Sequence, residues 1–108
     1  MRSSRRLRFT PEAKADLREI LQYTRETWGQ AQRDVYEAAI DRAFDRIVAF
    51  PELGTARPEL FPGCLIRVIE EHIIYYRIVD HGIWVIRVLH HRRDAAAMLG
   101  GLIDEPES

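Results

Sequence analysis

Residues 65–90 read LIRVIEEHIIYYRIVDHGIWVIRVLH, and their pattern decides the fold. Three runs rich in β-branched and aromatic residues, Leu65 to Glu70, Ile73 to Asp80 and Ile83 to His90, are parted only by Glu70-Glu71-His72 and Asp80-His81-Gly82. That pattern predicts three strands with tight turns. Connections this short force antiparallel neighbours, so the segment is a β-meander with a face to offer to helices. The last run stops in His90-His91-Arg92-Arg93-Asp94. A polar cluster at the end of a buried strand is where function, or a helix cap, should be sought.

Upstream, Leu7 to Thr10 is a short candidate strand. Thr10-Pro11 then suits a helix start, with threonine as cap and proline in the first turn. Ala13, Leu17, Ile20, Leu21, Thr24 and Trp28 recur at helical spacing, and Gly29 stands where a left-handed C-terminal cap belongs. A helix is expected over about residues 11–28. Val35, Tyr36, Ala39, Ile40, Ala43, Phe44, Ile47 and Phe50 form a second helical stripe, which Pro51 ends. Two helices of about five turns each, joined by so short a turn, fold back as an antiparallel hairpin.

Residues 51–63 hold Pro51, Gly54, Pro58, Pro62 and Gly63, which leaves room only for an irregular connection. Asp94 can cap a short helix through Ala95 to Leu99, closed by Gly100-Gly101, and the tail beyond about residue 100 is expected to fray. The order is β-α-α-β-β-β-(α). One α+β domain over residues 1–108 follows, a helical hairpin packed on a small antiparallel sheet.

A chain of 108 residues can bury a core but not a core plus a large enclosed active-site cavity, so its function is expected at the surface. No apolar run approaches the ~18 residues that span a membrane, and the basic N-terminus lacks the apolar core of a signal peptide. A single cysteine, Cys64, excludes an internal disulfide and a cysteine-based zinc site. A cytoplasmic location is the expectation. The net charge of -1 argues against a dedicated nucleic-acid binder, although Arg2, Arg5, Arg6 and Arg8 load one end with positive charge and Asp104, Glu105 and Glu107 load the other with negative. All the basic residues but Lys14 are arginine, a bias that GC-rich coding produces as readily as a need for bidentate contacts.

Ala13-x3-Leu17-x2-Ile20-x2-Tyr23, Trp28-Gly29, the Ala38 to Phe50 stripe and Pro51-x2-Gly54 are followed in order by Arg67, by His72-Ile73-Ile74-Tyr75-Tyr76-Arg77, and by Ile86-Arg87-Val88-Leu89-His90-x2-Arg93-Asp94. In order and spacing this resembles the RelE/ParE superfamily of bacterial type II toxins, and the ParE branch more than the RelE branch, over residues 7–99. The resemblance implies a toxin held inactive by a cognate ParD-like antitoxin whose disordered segment folds on the toxin surface. It also implies an association with plasmid stabilisation. It leaves the target open: RelE-like members cut messenger RNA on the ribosome, whereas ParE-like members inhibit DNA gyrase without a recognised catalytic site. A third possibility is an interaction module that keeps the fold without toxicity.

Metal-free RNA cleavage needs a proton acceptor, a proton donor and positive charge on the phosphate. By resemblance, the arginine near the start of the RelE-like third strand falls on Ile73 and the C-terminal tyrosine falls near Ala97, both chemically inert. What remains for a catalytic role is His91, Arg92 and Arg93. The leading reading is therefore a non-enzymatic gyrase inhibitor with no cofactor, and the alternative is a ribosome-dependent mRNA endonuclease.

For binding of antitoxin or target, the candidates are Arg67, Arg77, Arg87, His90, Arg93, Tyr23, Trp28 and Tyr36. The three strand arginines either line one sheet face for an acidic partner or pair with Glu70, Glu71 and Asp80. Tyr23, Trp28, Val35, Tyr36 and Phe44 have core spacing, and any that stay exposed would mark an interface. His90 is expected to be structural, with its ring hydrogen-bonded. His90 and His91 on a strand would point to opposite faces, so no metal site is expected.

Overall fold

The computed structural model describes residues 6–99. The expected frayed tail and its Gly100-Gly101 stop lie outside the described residues. In chain order the elements are β1 (Arg6–Phe9), α1 (Pro11–Trp28), α2 (Gln30–Ala49), a 3-10 turn at Pro51–Leu53, β2 (Thr55–Ala56), β3 (Leu65–Ile69), β4 (His72–Val79), β5 (Gly82–His90) and α3 (Ala95–Leu99). The architecture is α+β, as the periodicities require.

The sheet order is β1-β5-β4-β3-β2. β3, β4 and β5 form the expected antiparallel meander, but β1 lies parallel to β5, with Arg6 opposite Gly82 and Phe9 opposite Val85. The sheet is therefore mixed rather than antiparallel. The expectation failed because β1 and β5 are distant in sequence, so no hairpin dictates their relative direction. The irregular 51–63 connection also supplies β2, whose Thr55 and Ala56 pair with Ile66 and Leu65.

Helix α1 starts as its sequence directs. The Thr10 hydroxyl accepts from the Ala13 N–H at 2.9 Å and donates to the Ile86 carbonyl at 2.7 Å, so one side chain caps the helix and ties it to β5. A single residue, Gly29, joins the helices at φ 98° and ψ 169°, a conformation nearly reserved for glycine. From α2, Tyr36, Ile40, Ala43, Phe44 and Ile47 pack down on Ile74, Tyr76, Ile83, Val85 and Val88. Phe9 meets Phe44 edge to face, with ring centroids 5.2 Å apart. Tyr76 is fully buried and its hydroxyl donates to the Pro51 carbonyl at 2.7 Å, anchoring the end of the hairpin.

The far face of the sheet carries a second core. Tyr75, Ile86 and Leu89 lie under Phe61 and Cys64 from the irregular connection and under Leu99 from α3. Burial pushes the Cys64 thiol up to about 11, which makes it an inert packing group.

A register shift between Tyr75 and Tyr76 explains how β5 serves both cores. Tyr75 pairs with Arg87 and Tyr76 with Val85, so Ile86 is an extra residue in β5. The bulge lets Val85 and Val88 both face the helices while Ile86 and Leu89 both face away. Strict alternation would have placed Val88 on the wrong side.

Gly29 offers a clean test of the hairpin joint, because a Cβ there meets nothing within 4 Å. Gly29→Ala should destabilise the protein by about 1–2 kcal/mol through backbone strain alone. Urea denaturation monitored by circular dichroism measures it, and an unchanged midpoint would show that the joint relaxes without strain.

Candidate functional site

β1 ends at Phe9, but β5 continues to His90, so the last stretch of β5 has no strand beside it on that edge. Helix α1 occupies this place. The Asp16 carboxylate accepts from Arg87 Nε at 2.7 Å, from Arg87 Nη2 at 2.8 Å and from the Val88 backbone N–H at 2.9 Å. It thus completes the backbone bonding that β1 abandons and neutralises an arginine in the same contact. Both side chains are largely buried, so the pair keeps most of its electrostatic strength. The bidentate bond with Asp16 raises the Arg87 pKa above its ordinary value, burial opposing. Arg87 is held charged and fully engaged.

Above this pair lies an open groove of about 190 Å³. Asp16, Glu19, Ile20 and Tyr23 of α1 form one wall; His72, Arg87, Val88, Leu89, His90 and Arg93 form the floor and the other wall.

At its far end the histidines form a chain of ring contacts. Tyr36 donates its hydroxyl proton to the Ile69 carbonyl at 3.0 Å, which leaves its oxygen to accept from His72 Nδ1 at 2.7 Å. The network therefore assigns the His72 proton to Nδ1. His72 meets His90 edge to face at 5.3 Å, and His91 stacks on His90 at 4.5 Å. His90 Nδ1 accepts from the Arg92 N–H at 3.1 Å, so its own proton sits on Nε2, 3.5 Å from the Glu71 carboxylate. Burial, joined by Glu70 and Glu71, pushes the Tyr36 phenol up to about 12. Burial first, then His90, lowers the pKa of His72, with Glu71 opposing.

The structure brings together Tyr23, Arg87, His90 and Arg93 of the expected binding residues and keeps the others apart. Arg67 pairs across the sheet with Ile74 on the helix side, while Arg77 pairs with Trp84 on the far side. The three strand arginines therefore do not share a face, and the partner of Arg87 is Asp16 rather than Glu70, Glu71 or Asp80. Tyr36 is only 9% exposed and belongs to the core beneath His72. Tyr23 and Trp28 are 64% and 69% exposed and Val35 is exposed as well, against their core-like spacing, while Phe44 is buried as expected. Trp28 stands at the hairpin tip, outside the groove.

His91 and Arg92 lie on the turn beyond β5 and do not line the groove. The His91 N–H donates to the Glu71 carbonyl at 2.8 Å. Because β5 stops at His90, strand alternation does not apply, and the two imidazoles stack instead of pointing apart. The Arg93 guanidinium contacts Met98 Sδ at 3.6 Å. Among the described residues no three histidine, cysteine or carboxylate side chains converge as metal ligands.

Asp16, Glu19 and His72 were missed in the sequence. Asp16 carried a signal: an acid three residues after Ala13 and four before Ile20 sits inside the apolar stripe of α1. A carboxylate on a buried face calls for a cation, and Arg87 was the candidate.

A helical hairpin over one face of a mixed sheet, with a groove whose buried arginine is already neutralised, defines a small α+β binding protein. The chain belongs to the family of ParE toxins of type II toxin–antitoxin systems, whose model matches residues 7–95. Toxin ParE1 of Mycobacterium tuberculosis is 38% identical over 92 residues, covering 84% of this chain and 94% of that protein. Toxin ParE of Escherichia coli is 35% identical over 93 residues, covering 84% and 89%. A chain from the structure of the chromosomal ParDE toxin–antitoxin system of P. aeruginosa shares the fold, with a TM-score of 0.70 at 20% identity, covering 82% of this chain and 98% of that one.

Removing the Asp16 carboxylate should leave Arg87 buried and unpaired. Asp16→Ala is expected to cost about 3–5 kcal/mol, and Asp16→Leu combined with Arg87→Met to recover much of it. Urea denaturation of the singles and the double measures the coupling; additive losses would reduce the pair to two independent contacts.

Stability should also fall in acid through His72. Its folded pKa lies below the unfolded value of 6.5, so the unfolded chain takes up its proton first and stability declines as pH drops through 6.5 and below the folded pKa. Between pH 7.5 and 5, His72→Phe should lose less melting temperature than the parent protein. Equal losses would remove His72 as the cause.

Proposed function

We propose that this ParE toxin inhibits DNA gyrase in the cytoplasm and is held inactive by a ParD-like antitoxin. The carrying observation is that Arg87, the arginine buried in the groove, is committed to Asp16 by two hydrogen bonds and is not free to stabilise a crowded phosphate. Two further positions agree. Ile73 packs against the far-side core and Ala97 is an exposed methyl on α3, so neither can move a proton where RNA-cleaving relatives of the superfamily would do so. A binding mechanism asks only for exposed complementary surface, and Tyr23, Trp28 and Val35 offer it. No helix among the described residues is long and apolar enough to cross a membrane.

The endonuclease reading has one observation in its favour: His72, His90 and Arg93 face the same groove. Glu19 and Asp16 face it too, and they oppose entry of a phosphate.

Expression without the antitoxin should induce the DNA-damage response, and the purified chain should inhibit gyrase supercoiling, with co-expressed antitoxin abolishing both effects. Replacing His91, Arg92 and Arg93 together by alanine should not change messenger RNA integrity. Gyrase unaffected by the pure chain would overturn the proposal. Rapid cleavage of translated messages would favour the endonuclease, and growth without either effect would favour a non-toxic interaction module.

A further inference from the structure

A second groove, of about 310 Å³, runs along the outside of the hairpin, away from the His90 end. Its apolar floor is Leu17 and Leu21, and its polar lining is Arg18, Gln22 and Arg25 of α1 with Arg33 of α2. At about 100° per residue, Leu17, Leu21 and Trp28 fall within about 40° of one another on α1. The floor therefore points on to the exposed indole of Trp28, giving an apolar stripe about 16 Å long, the length of roughly three helical turns.

Charge on this face has one sign. Arg18 and Arg25 sit on one flank by their helical angles, and Arg33 reaches the groove from the other helix. Gln22 binds Glu26 and Arg33 binds Asp34 and Glu37, but Arg18 and Arg25 make no ion pair among the described residues, and no carboxylate lines the groove. A chain of net charge -1 thus concentrates uncompensated positive charge around one of its exposed apolar stripes. Leu17 and Leu21 are only half-buried, packed against the core from below and open above.

We propose that this face seats an acidic amphipathic helix of a partner protein. Apolar side chains at i, i+4 and i+7 of that helix would lie on Leu17, Leu21 and Trp28, and carboxylates beside them would meet Arg18 and Arg25. The surface is separate from the Asp16–His90 groove, so the protein can engage a second ligand there at the same time. Long-range attraction to an acidic partner would raise the association rate and make it salt-sensitive.

The test uses the full chain carrying Trp84→Phe, so that Trp28 is the fluorescent reporter, and a synthetic 15-residue helical peptide with leucines on one face and flanking glutamates. Saturable binding with a blue shift of Trp28 is expected, weakened at least tenfold by R18E/R25E and by 0.5 M salt. R42E/R46E, on exposed positions of α2 outside the groove, should bind as the parent does. Circular dichroism and melting temperature show whether each variant is folded; isothermal calorimetry on the chain with Trp84 intact repeats the comparison without the reporter substitution. The same peptide with lysine for glutamate should not bind. Equal binding by R18E/R25E, binding of the lysine peptide, or no saturable binding would overturn the proposal. It would equally be overturned if R18E/R25E instead dissolved a homodimer seen by light scattering, or abolished binding to phosphatidylglycerol vesicles in a chain that ignores the peptide.

Discussion

The contact on which the rest of this structure depends is the carboxylate of Asp16 set against the bare edge of β5. A four-residue β1 cannot cover a nine-residue β5, and unpaired backbone groups beneath a helix would carry a desolvation cost of about 1–3 kcal/mol each. Thr10 takes the Ile86 carbonyl, Asp16 takes the Val88 N–H, and α1 becomes the continuation of the ladder in side-chain form. Because both contacts come from one helix, they set its position along β5 as well as its distance from the sheet. The groove above them is a consequence of that docking. So is the loss of Arg87 as a free cation, since the group that would otherwise attract an anion is used to bind the helix.

The bulge at Ile86 belongs to the same arrangement. Adding one residue to β5 resets the alternation, so that Val88 reaches the helix-side core and Leu89 the far-side core. It also turns Arg87, opposite Tyr75 in the ladder, toward the helix that holds Asp16. A regular strand could satisfy either the two cores or the ion pair. With the bulge, the sheet is covered by the hairpin on one side and by Phe61, Cys64 and Leu99 on the other, which is how a short chain with a small sheet comes to bury residues such as Tyr75 and Ile86.

Much of this was legible in the sequence. The bounds of α1, the end of α2 before Pro51, the three meander strands and the Asp94 start of α3 follow from periodicity and from capping or breaking residues, all of which act over a few positions. What escaped involves partners far apart in the chain. Nothing local in Arg6 to Phe9 says that it will lie parallel to Gly82 to Val85, and the bulge leaves no signature in the Val85-Ile86-Arg87-Val88 run. The site was legible only in part for the same reason. His90 and Arg93 could be named from the polar ending of β5, and Tyr23 from its helix, but grouping Arg67, Arg77 and Arg87 assumed an unbroken alternation that β5 does not keep. Asp16 lay in view as an acid in an apolar stripe, and its meaning depended on a strand seventy residues away.

The outer part of the hairpin obeys a different rule from the part docked on the sheet. From Gln22 to Val35, only Thr24 and Arg33 are even half-buried, so the core does little to hold this tip. Short helices without tertiary support are marginal in water, and the tip must be kept helical by other means. Gln22 with Glu26, Gln30 with Asp34 and Arg33 with Glu37 are all i, i+4 pairs, each worth about 0.2–0.5 kcal/mol, and Thr24 bonds back to the Ile20 carbonyl. The helices are thus stabilised along their own surfaces, and their apolar side chains are left over. Tyr23, Trp28 and Val35 are exposed because there is no third layer to cover them. A fold that spends its buried arginine on its own architecture and holds a pre-formed aromatic tip in solvent is suited to recognition by surface contact, and the family to which the chain belongs is one of toxins that operate in partnership with an antitoxin.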